Sequence, residues 1–323
     1  MSVMKSEKKA LIIACYIGKI PVNINMWIKS CTINADFDFL LVTNDNIDMD
    51  LPENVIVLHQ ELIDLKKRFQ KHIDFEITLD SAYKLCDYKP LYALAFEDYV
   101  KDYPFWGHCD IDMVFGQINH FFTVELLTKY DRLGSLGHLC LYRNNDQMNH
   151  LYEKKGAAFP YKKVFTSNYS YNFDEIFGYN LLCKYNHINW YDCGWEFCLD
   201  KCYGYPFSFS HRRSHEEQFV LWKDGLIYLA YRENGQMKYE EKMYYHFSST
   251  KYVLNNLSDI VAFEYSKCMN LEEPVENYHI QSDYTGEKQN DRKSVFNRIF
   301  RGKKPYQIYI RIRQEFYRSV LRR

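Results

Sequence analysis

Two aspartates stand one residue apart in FWGHCDIDMVFG, residues 105–116, with aromatic and aliphatic side chains on both sides. Like charges at that spacing repel, and each carboxylate loses solvation as it leaves water. The arrangement is costly unless a cation or strong donors lie between them. Asp110 and Asp112 therefore read as ligands of a divalent metal, the simplest cation that relieves both costs. The spacing by itself carries little information, because Asp36-Phe37-Asp38 and Asp48-Met49-Asp50 repeat it. Those two open a strand and occupy a polar loop, and both read as solvated turns. Only Asp110 and Asp112 combine the end of an apolar strand with apolar neighbours on each flank.

Something regular must hold such a pair at its edge, and the preceding residues supply it. ALIIACYIG (10–18), DFDFLLVTND (36–45), ENVIVLHQ (53–60) and FWGHCD (105–110) are strand-like. PVNINMWIKSCTIN (21–34), opened by Pro21, and ELIDLKKRFQKHI (61–73) have helical patterns, and KPLYALAFEDYV (89–100) places Pro90 at a first helical position. Strands alternating with helices predict an α/β fold with a mostly parallel sheet, whose ligands bind beyond the carboxyl ends of the strands. Tyr16-Ile17-Gly18, Thr43-Asn44-Asp45 and Asp110-Ile111-Asp112 all fall at those ends. That shared edge is the predicted active site.

The rest of the composition bounds the function. A chain of 323 residues, 47% hydrophobic, can bury one large α/β domain or two smaller ones. Its net charge of −1 speaks against nucleic acid as a partner. The charge is segregated, however: residues 298–323 carry nine Lys or Arg against Glu315, a net +8, which leaves about −9 on the remainder. The 29 tyrosines suit a surface that meets sugars or bases, and equally a chain of biased composition. No apolar run approaches the roughly 18 residues that span a bilayer, and the N-terminal run reads as a first strand, not a signal peptide. A cytoplasmic location with mostly reduced thiols is expected. Cys198-x3-Cys202 followed by His211-x3-His215 is close to a zinc ligand list, but its eight intervening residues fall short of the usual twelve or so. Neither a GxGxxG after the first strand nor a GxxxxGK[ST] occurs, so dinucleotide and P-loop chemistry lose their usual support.

Four ordered motifs between about Ala10 and Lys251 resemble bacterial glycosyltransferases of the GT-A fold, in particular a family from cell-surface polysaccharide gene clusters. They are Asp87-Tyr88-Lys89-Pro90, the WGxxDxDxxxG stretch at 106–116, Gly137-His138-Leu139-Cys140-Leu141-Tyr142-Arg143-Asn144, and the YxHF stretch ending at Phe247. The last also resembles the HxxGxxK of family-8 galactosyltransferases, whose late histidine completes a metal site. His246 and Lys251 match its ends, and Ser249 stands in place of its glycine. The resemblance implies a metal-dependent transferase that takes a nucleotide sugar, a UDP-sugar above all, and extends a glycan or lipid-linked glycan. Asp112 would bind Mn²⁺ or Mg²⁺ directly, Asp110 would share the ion and reach the ribose, and His246 would favour Mn²⁺. Lys89, beside the helix expected at Pro90, would hold phosphate or uracil oxygen, and Lys251 would hold phosphate. Tyr16, Asp87 and Thr43-Asn44-Asp45 are candidates for the base and ribose.

The acceptor side falls to carboxylates among aromatics: Asp174 and Glu175 in NFDEIFGYN, Asp192 and Glu196 in WYDCGWEFCLD. Asp174 or Glu175 is the expected general base, with His138 and Arg143 lining the same cleft. The expected organisation is a GT-A-like catalytic domain over 1–265, a flexible connection over 266–297 and a basic amphipathic helix over 298–323. Tyr309, Ile312, Phe316 and Val320 recur at helical spacing there, which suits either an anionic membrane surface, on the inner face of the cytoplasmic membrane, or packing on the domain with the basic face in water. Two alternatives stay open. One is a non-catalytic GT-A-like protein that binds nucleotide or glycan in an assembly complex; the other is a nucleotidyltransferase, which would normally show a glycine-rich phosphate loop after the first strand.

Overall fold

The computed structural model describes residues 8–194, 196–200, 217–248, 252–254, 258–264, 267–272, 274–279, 308–313 and 316. Its centre is a seven-stranded sheet. β1 (Ala10–Tyr16), β2 (Phe37–Thr43), β3 (Val55–His59) and β4 (Phe105–Cys109) run parallel in the order β3-β2-β1-β4. Two further strands precede the sheet's far edge once β5 (Met113–Phe115) has left it: β6 (Arg132–Leu133) and β7 (Leu139–Arg143). β7 pairs antiparallel with β4 and β6, and β8 (Trp190–Tyr191) joins β6 in parallel. The α/β class and the mostly parallel sheet are as the alternating pattern predicts.

Both faces of this sheet are covered, which is why its strands read as continuous apolar runs. Leu11 and Ile13 of β1 point into one core, whereas Ala10, Ile12 and Ala14 point into the other. The helix α1 (Ile24–Thr32) buries Trp27 edge-on to Phe39 on the second face. On the first face, α2 (Leu62–Gln70) buries Leu65 and Phe69, the latter stacked on Tyr88.

The helix expected from Pro90 is displaced. A 3₁₀ stretch, Ala82–Leu91, contains Pro90, and only short α-turns follow at Tyr92–Ala95 and Glu97–Val100. Seven of its ten residues are buried, including Lys84, Asp87 and Lys89, so tertiary contacts rather than helical propensity set its path.

Beyond the central sheet, β9 (Cys198–Asp200) and β13 (Tyr244–His246) assemble with β5. Between them in sequence lie β10 (Gln218–Lys223), β11 (Leu226–Glu233) and β12 (Gln236–Lys242), which join β14 (Ile260–Phe263) and β15 (Cys268–Asn270) in an antiparallel sheet. Its hairpins turn at Asp224-Gly225 and Asn234-Gly235, with positive φ at both residues of each turn. DG and NG are the dipeptides such two-residue turns demand.

Residues 308–313 are helical, and Ile310, only 4% exposed, joins the core cluster that covers the first face of the sheet. Arg313 lies over the ring of Phe159. Tyr309, Ile312 and Phe316 are 49%, 49% and 63% exposed. Of the expected stripe, Tyr309 sets its ring edge-on to Phe159, whereas the deeply buried contact is made by Ile310, outside the stripe. Most of 266–323, and three of the four proposed zinc ligands (Cys202, His211, His215), lie outside the described residues. No helix among the described residues is long and apolar enough to cross a membrane.

Candidate metal centre

β4 delivers Asp110 and Asp112 to the carboxyl edge of the sheet, and the backbone fixes the pair from both sides. The Asp110 N–H donates to the His138 carbonyl at 3.0 Å, and the Phe247 N–H donates to the Asp112 carbonyl at 3.0 Å. The second of these bonds continues the pairing of β13 with β5, which sets His246 opposite Met113. His246 Nε2 consequently lies 3.3 Å from Asp112 Oδ1 and 4.0 Å from Asp110 Oδ2. Two carboxylates and an imidazole at that separation leave room for an ion about 2.0–2.3 Å from each ligand atom. The mixed oxygen and nitrogen set is one that divalent cations accept.

Burial on its own would lower the His246 pKa. Hydrogen bonds that its N–H groups donate to Asp112 and Asp200, with the charges of Asp112 and Asp110, outweigh it and push the imidazole up to about 10 in the metal-free protein. A metal needs the neutral ring, so binding must displace a proton. Mn²⁺ affinity is expected to rise with pH between 6 and 8, approaching tenfold per unit, with about one proton released per ion. Calorimetry in buffers of different ionisation enthalpy measures both. Without metal the sign reverses: the stabilisation from charged His246 is complete below its ordinary 6.5 and lost as pH rises through about 10.

A cavity of about 560 Å³ opens beside this edge, within the range of roughly 300–1,000 Å³ typical of small-ligand sites. Tyr16, Lys89, Asp110, Asp112, Asp174 and Glu175 all line it, as does Asn23 at the start of α1.

Lys89 is neither a solvated lysine nor the cap of a helix N-terminus. Its ammonium is buried and meets Asp110 Oδ1 at 2.8 Å, Asp174 Oδ2 at 3.0 Å and the Gly137 carbonyl at 2.8 Å. Burial would strip its proton, but the two carboxylates outweigh that and hold it charged. Asp174 is raised by burial, a rise that Lys89 opposes. Glu175 is raised further, by burial and then by the charge of Asp174. Gly137 allows this crowding: a Cβ there would lie 2.6 Å from Glu175 Oε1 and 2.9 Å from Asp174 Oδ2.

Several other candidates serve the scaffold. Asp87 does not reach the cavity: fully buried, it accepts hydrogen bonds from the Tyr171 and Phe173 N–H groups and from Lys84. Thr43 is buried and its Oγ1 accepts from the Asp45 N–H. Asn44 and Asp45 accept from the Gly18 and Ile20 N–H groups, so they shape the loop after β1 and do not line the cavity. Arg143 pairs with Asp131 at 2.7 Å, away from the cleft. His138 is buried and stacked on His246, with ring centroids 3.8 Å apart. Asp38 is buried against the Tyr103 hydroxyl and so departs from the expected solvated turn, whereas Asp36 lies in an exposed turn beside Lys9. Asp192 lines a separate cavity of about 220 Å³ with Trp190 and Asn180. Lys251 lies outside the described residues.

Sequence reading missed Lys84, Gly137 in its steric role, and Asp200. Asp200 sits opposite His246 in the parallel pairing of β9 and β13, and its Oδ1 is 2.8 Å from His246 Nδ1. Nothing in LD at 199–200 signals that contact, because it exists only once two distant strands pair.

The chain belongs to the DUF6625 family, a family of unknown function, whose model matches residues 12–272. No curated protein matches its sequence. Among solved structures, the chain is similar to galactosyltransferase LgtC in complex with donor and acceptor sugar analogues, at 8% identity and TM-score 0.36, covering 59% of this chain and 75% of that one. Mouse xyloside xylosyltransferase 1 in its apo form is similar at 9% identity and TM-score 0.45, over 75% of this chain and 98% of that one. The glycosyltransferase GlyE of Streptococcus pneumoniae TIGR4 is similar at 12% identity and TM-score 0.32, over 58% and 45%. At such levels the chemistry of the site must carry any functional reading.

Proposed function

We propose that this protein is a metal-dependent glycosyltransferase of GT-A type that moves a sugar from a nucleotide sugar, a UDP-sugar by preference, to a glycan or lipid-linked glycan of surface polysaccharide synthesis. The observation that supports this reading is the meeting of Asp110, Asp112 and His246 at the mouth of a ligand-sized cavity on the carboxyl edge of the sheet. A divalent ion there would take up negative charge on the departing diphosphate. The chain's own residues prepare the site. Lys89 holds Asp110 Oδ1, so that Oδ2 turns toward His246, and the same ammonium neutralises Asp174. Glu175, with its pKa raised and its carboxyl on the cavity wall, is the better placed of the two neighbouring carboxylates to exchange a proton with an acceptor hydroxyl near neutral pH.

A thermal-shift screen of nucleotide sugars with and without Mn²⁺ tests donor and metal together. A nucleotide sugar should raise the melting temperature far more with Mn²⁺ than without it. If neither Mn²⁺ nor any nucleotide sugar shifts the transition, the reading is wrong.

In this proposal the enzyme works at the inner face of the membrane, and its C-terminal segment contacts anionic lipid. The +8 charge of residues 298–323 and the exposed Ile312 and Phe316 support that contact. Each Lys or Arg near an anionic bilayer contributes roughly 1 kcal/mol, screened by salt. The variant Ile312→Ser is expected to weaken binding to phosphatidylserine vesicles at low salt with an unchanged melting temperature. Ile310→Ser is expected to lower the melting temperature instead, because Ile310 is the residue that packs. Vesicle co-sedimentation of each variant separates the two effects, and full-length protein that ignores anionic vesicles at low salt would end the membrane proposal.

A further inference from the structure

We propose that Asp200 is a positioning residue for the metal centre: it holds Nδ1–H of His246 and so leaves the Nε2 lone pair facing Asp110 and Asp112. The inference rests on the metal-site reading above.

The geometry separates the two nitrogens of one ring. Nδ1 meets Asp200 Oδ1 at 2.8 Å, a hydrogen-bond distance, while Nε2 looks toward the carboxylate pair at 3.3 and 4.0 Å. Both partners are largely buried, and pairing of β9 with β13 sets them in register. A neutral imidazole carries one N–H, and whichever nitrogen donates leaves the other as the ligand. Rotation of the ring by half a turn about Cβ–Cγ would bring a carbon, not a nitrogen, to the Asp112 side, and it would cost the bond to Asp200. A carboxylate behind a ligating histidine also raises its basicity.

A second grouping, His138, Asp200 and His246, also has its ligand atoms within 4.8 Å of one another. The rings exclude it as a metal site. An imidazole binds a metal in its own plane, about 2.0–2.1 Å from the nitrogen. The two rings are stacked with centroids 3.8 Å apart and planes only 24° from parallel, so no nearby point lies in both planes. His138 therefore acts as a packing surface for His246, and Asp200 is left as a partner of His246, not a member of a rival site.

The test uses the full chain and Mn²⁺ alone, with affinity measured by calorimetry at constant pH and folding followed by melting temperature. Asp200→Ala is expected to weaken Mn²⁺ binding by about 10–100-fold. Asp200→Asn, which keeps the shape and one acceptor but loses the charge, should fall between Asp200→Ala and wild type. His138→Phe, which keeps a ring under His246, should bind as wild type does. In Mg²⁺-loaded protein, the ¹⁵N resonances of His246 should show a protonated Nδ1 and an unprotonated Nε2. Wild-type affinity in folded Asp200→Asn, or the reversed tautomer, overturns the inference while leaving the metal centre intact. Loss of binding in His138→Phe as large as in Asp200→Ala would return Asp200 to the rival site as a ligand and overturn it too. If wild-type protein binds no Mn²⁺ while Asp112→Ala behaves identically, the metal reading fails and takes this inference with it.

Discussion

Asp112→Ala is expected to abolish metal-dependent turnover of a nucleotide sugar while the protein keeps its fold. The carboxylate stands at the cavity edge, about one-third exposed, and its nearest charged neighbour is His246 at 3.3 Å. Removing it takes away one of three protein ligands and one of two negative charges facing the ion, but it leaves no buried partner stranded. His246 keeps Asp200 on its other nitrogen. Charge stabilisation of a leaving group by a bound metal is worth several kcal/mol, so a loss of about 4 kcal/mol, or a thousandfold in rate, is the expected scale. Donor hydrolysis and transfer, measured across a Mn²⁺ titration, give the answer. Wild-type rates in a variant with wild-type melting temperature would remove the metal centre from the mechanism.

The second large effect falls on stability, at a pair outside the cavity. Lys84 and Asp87 meet at 2.8 Å with side chains 2% and 0% exposed. Lys84 also donates to the carbonyls of Val164 and Tyr169, and Asp87 receives the Tyr171 and Phe173 N–H groups. Together they clamp the segment that leads into Asp174 and Glu175. Burial raises the Asp87 pKa even with Lys84 beside it, so the pair does not recover its full desolvation cost. Breaking it is another matter: Asp87→Ala strands a buried ammonium and two backbone donors, with an expected loss of about 3–5 kcal/mol. Denaturant unfolding measures that loss. Asp87→Asn, which keeps an acceptor for one N–H, is expected to lose less. A change below about 1 kcal/mol in Asp87→Ala would mean that the clamp is dispensable and that Lys89 suffices to hold Asp174.

Much of this protein was legible from local chemistry. The alternation of strands and helices over the first 110 residues comes from hydrophobic periodicity, and the placement of Asp110 and Asp112 at a strand end follows from it. Asn-Gly and Asp-Gly also mark the two hairpins at 224–225 and 234–235, because those dipeptides accept positive φ at both turn positions. Lys89 was legible as a positive charge beside an expected helix, suited to phosphate or uracil oxygen, but not as the buried counter-ion of Asp110. That role depends on Gly137 and Asp174 arriving from segments some 50 and 85 residues away, which no local pattern encodes. The same limit applies to Thr43, Asn44, Asp45 and Asp87. Polar residues at or near strand ends read as ligand contacts, yet here each satisfies a backbone N–H that folding would otherwise leave unpaired.

By itself, then, the sequence determined the α/β class and the placement of Asp110 and Asp112 at the carboxyl edge of the sheet, since both depend on residues close together in the chain. Tertiary structure decided which polar groups share a cavity and which hold the scaffold. It set His246 against Asp112 through β5 and β13, and Asp200 behind His246 through β9 and β13. The physical reason is that strand pairing couples residues by register, whatever their separation in sequence, and the burial that follows fixes which charges must find one another.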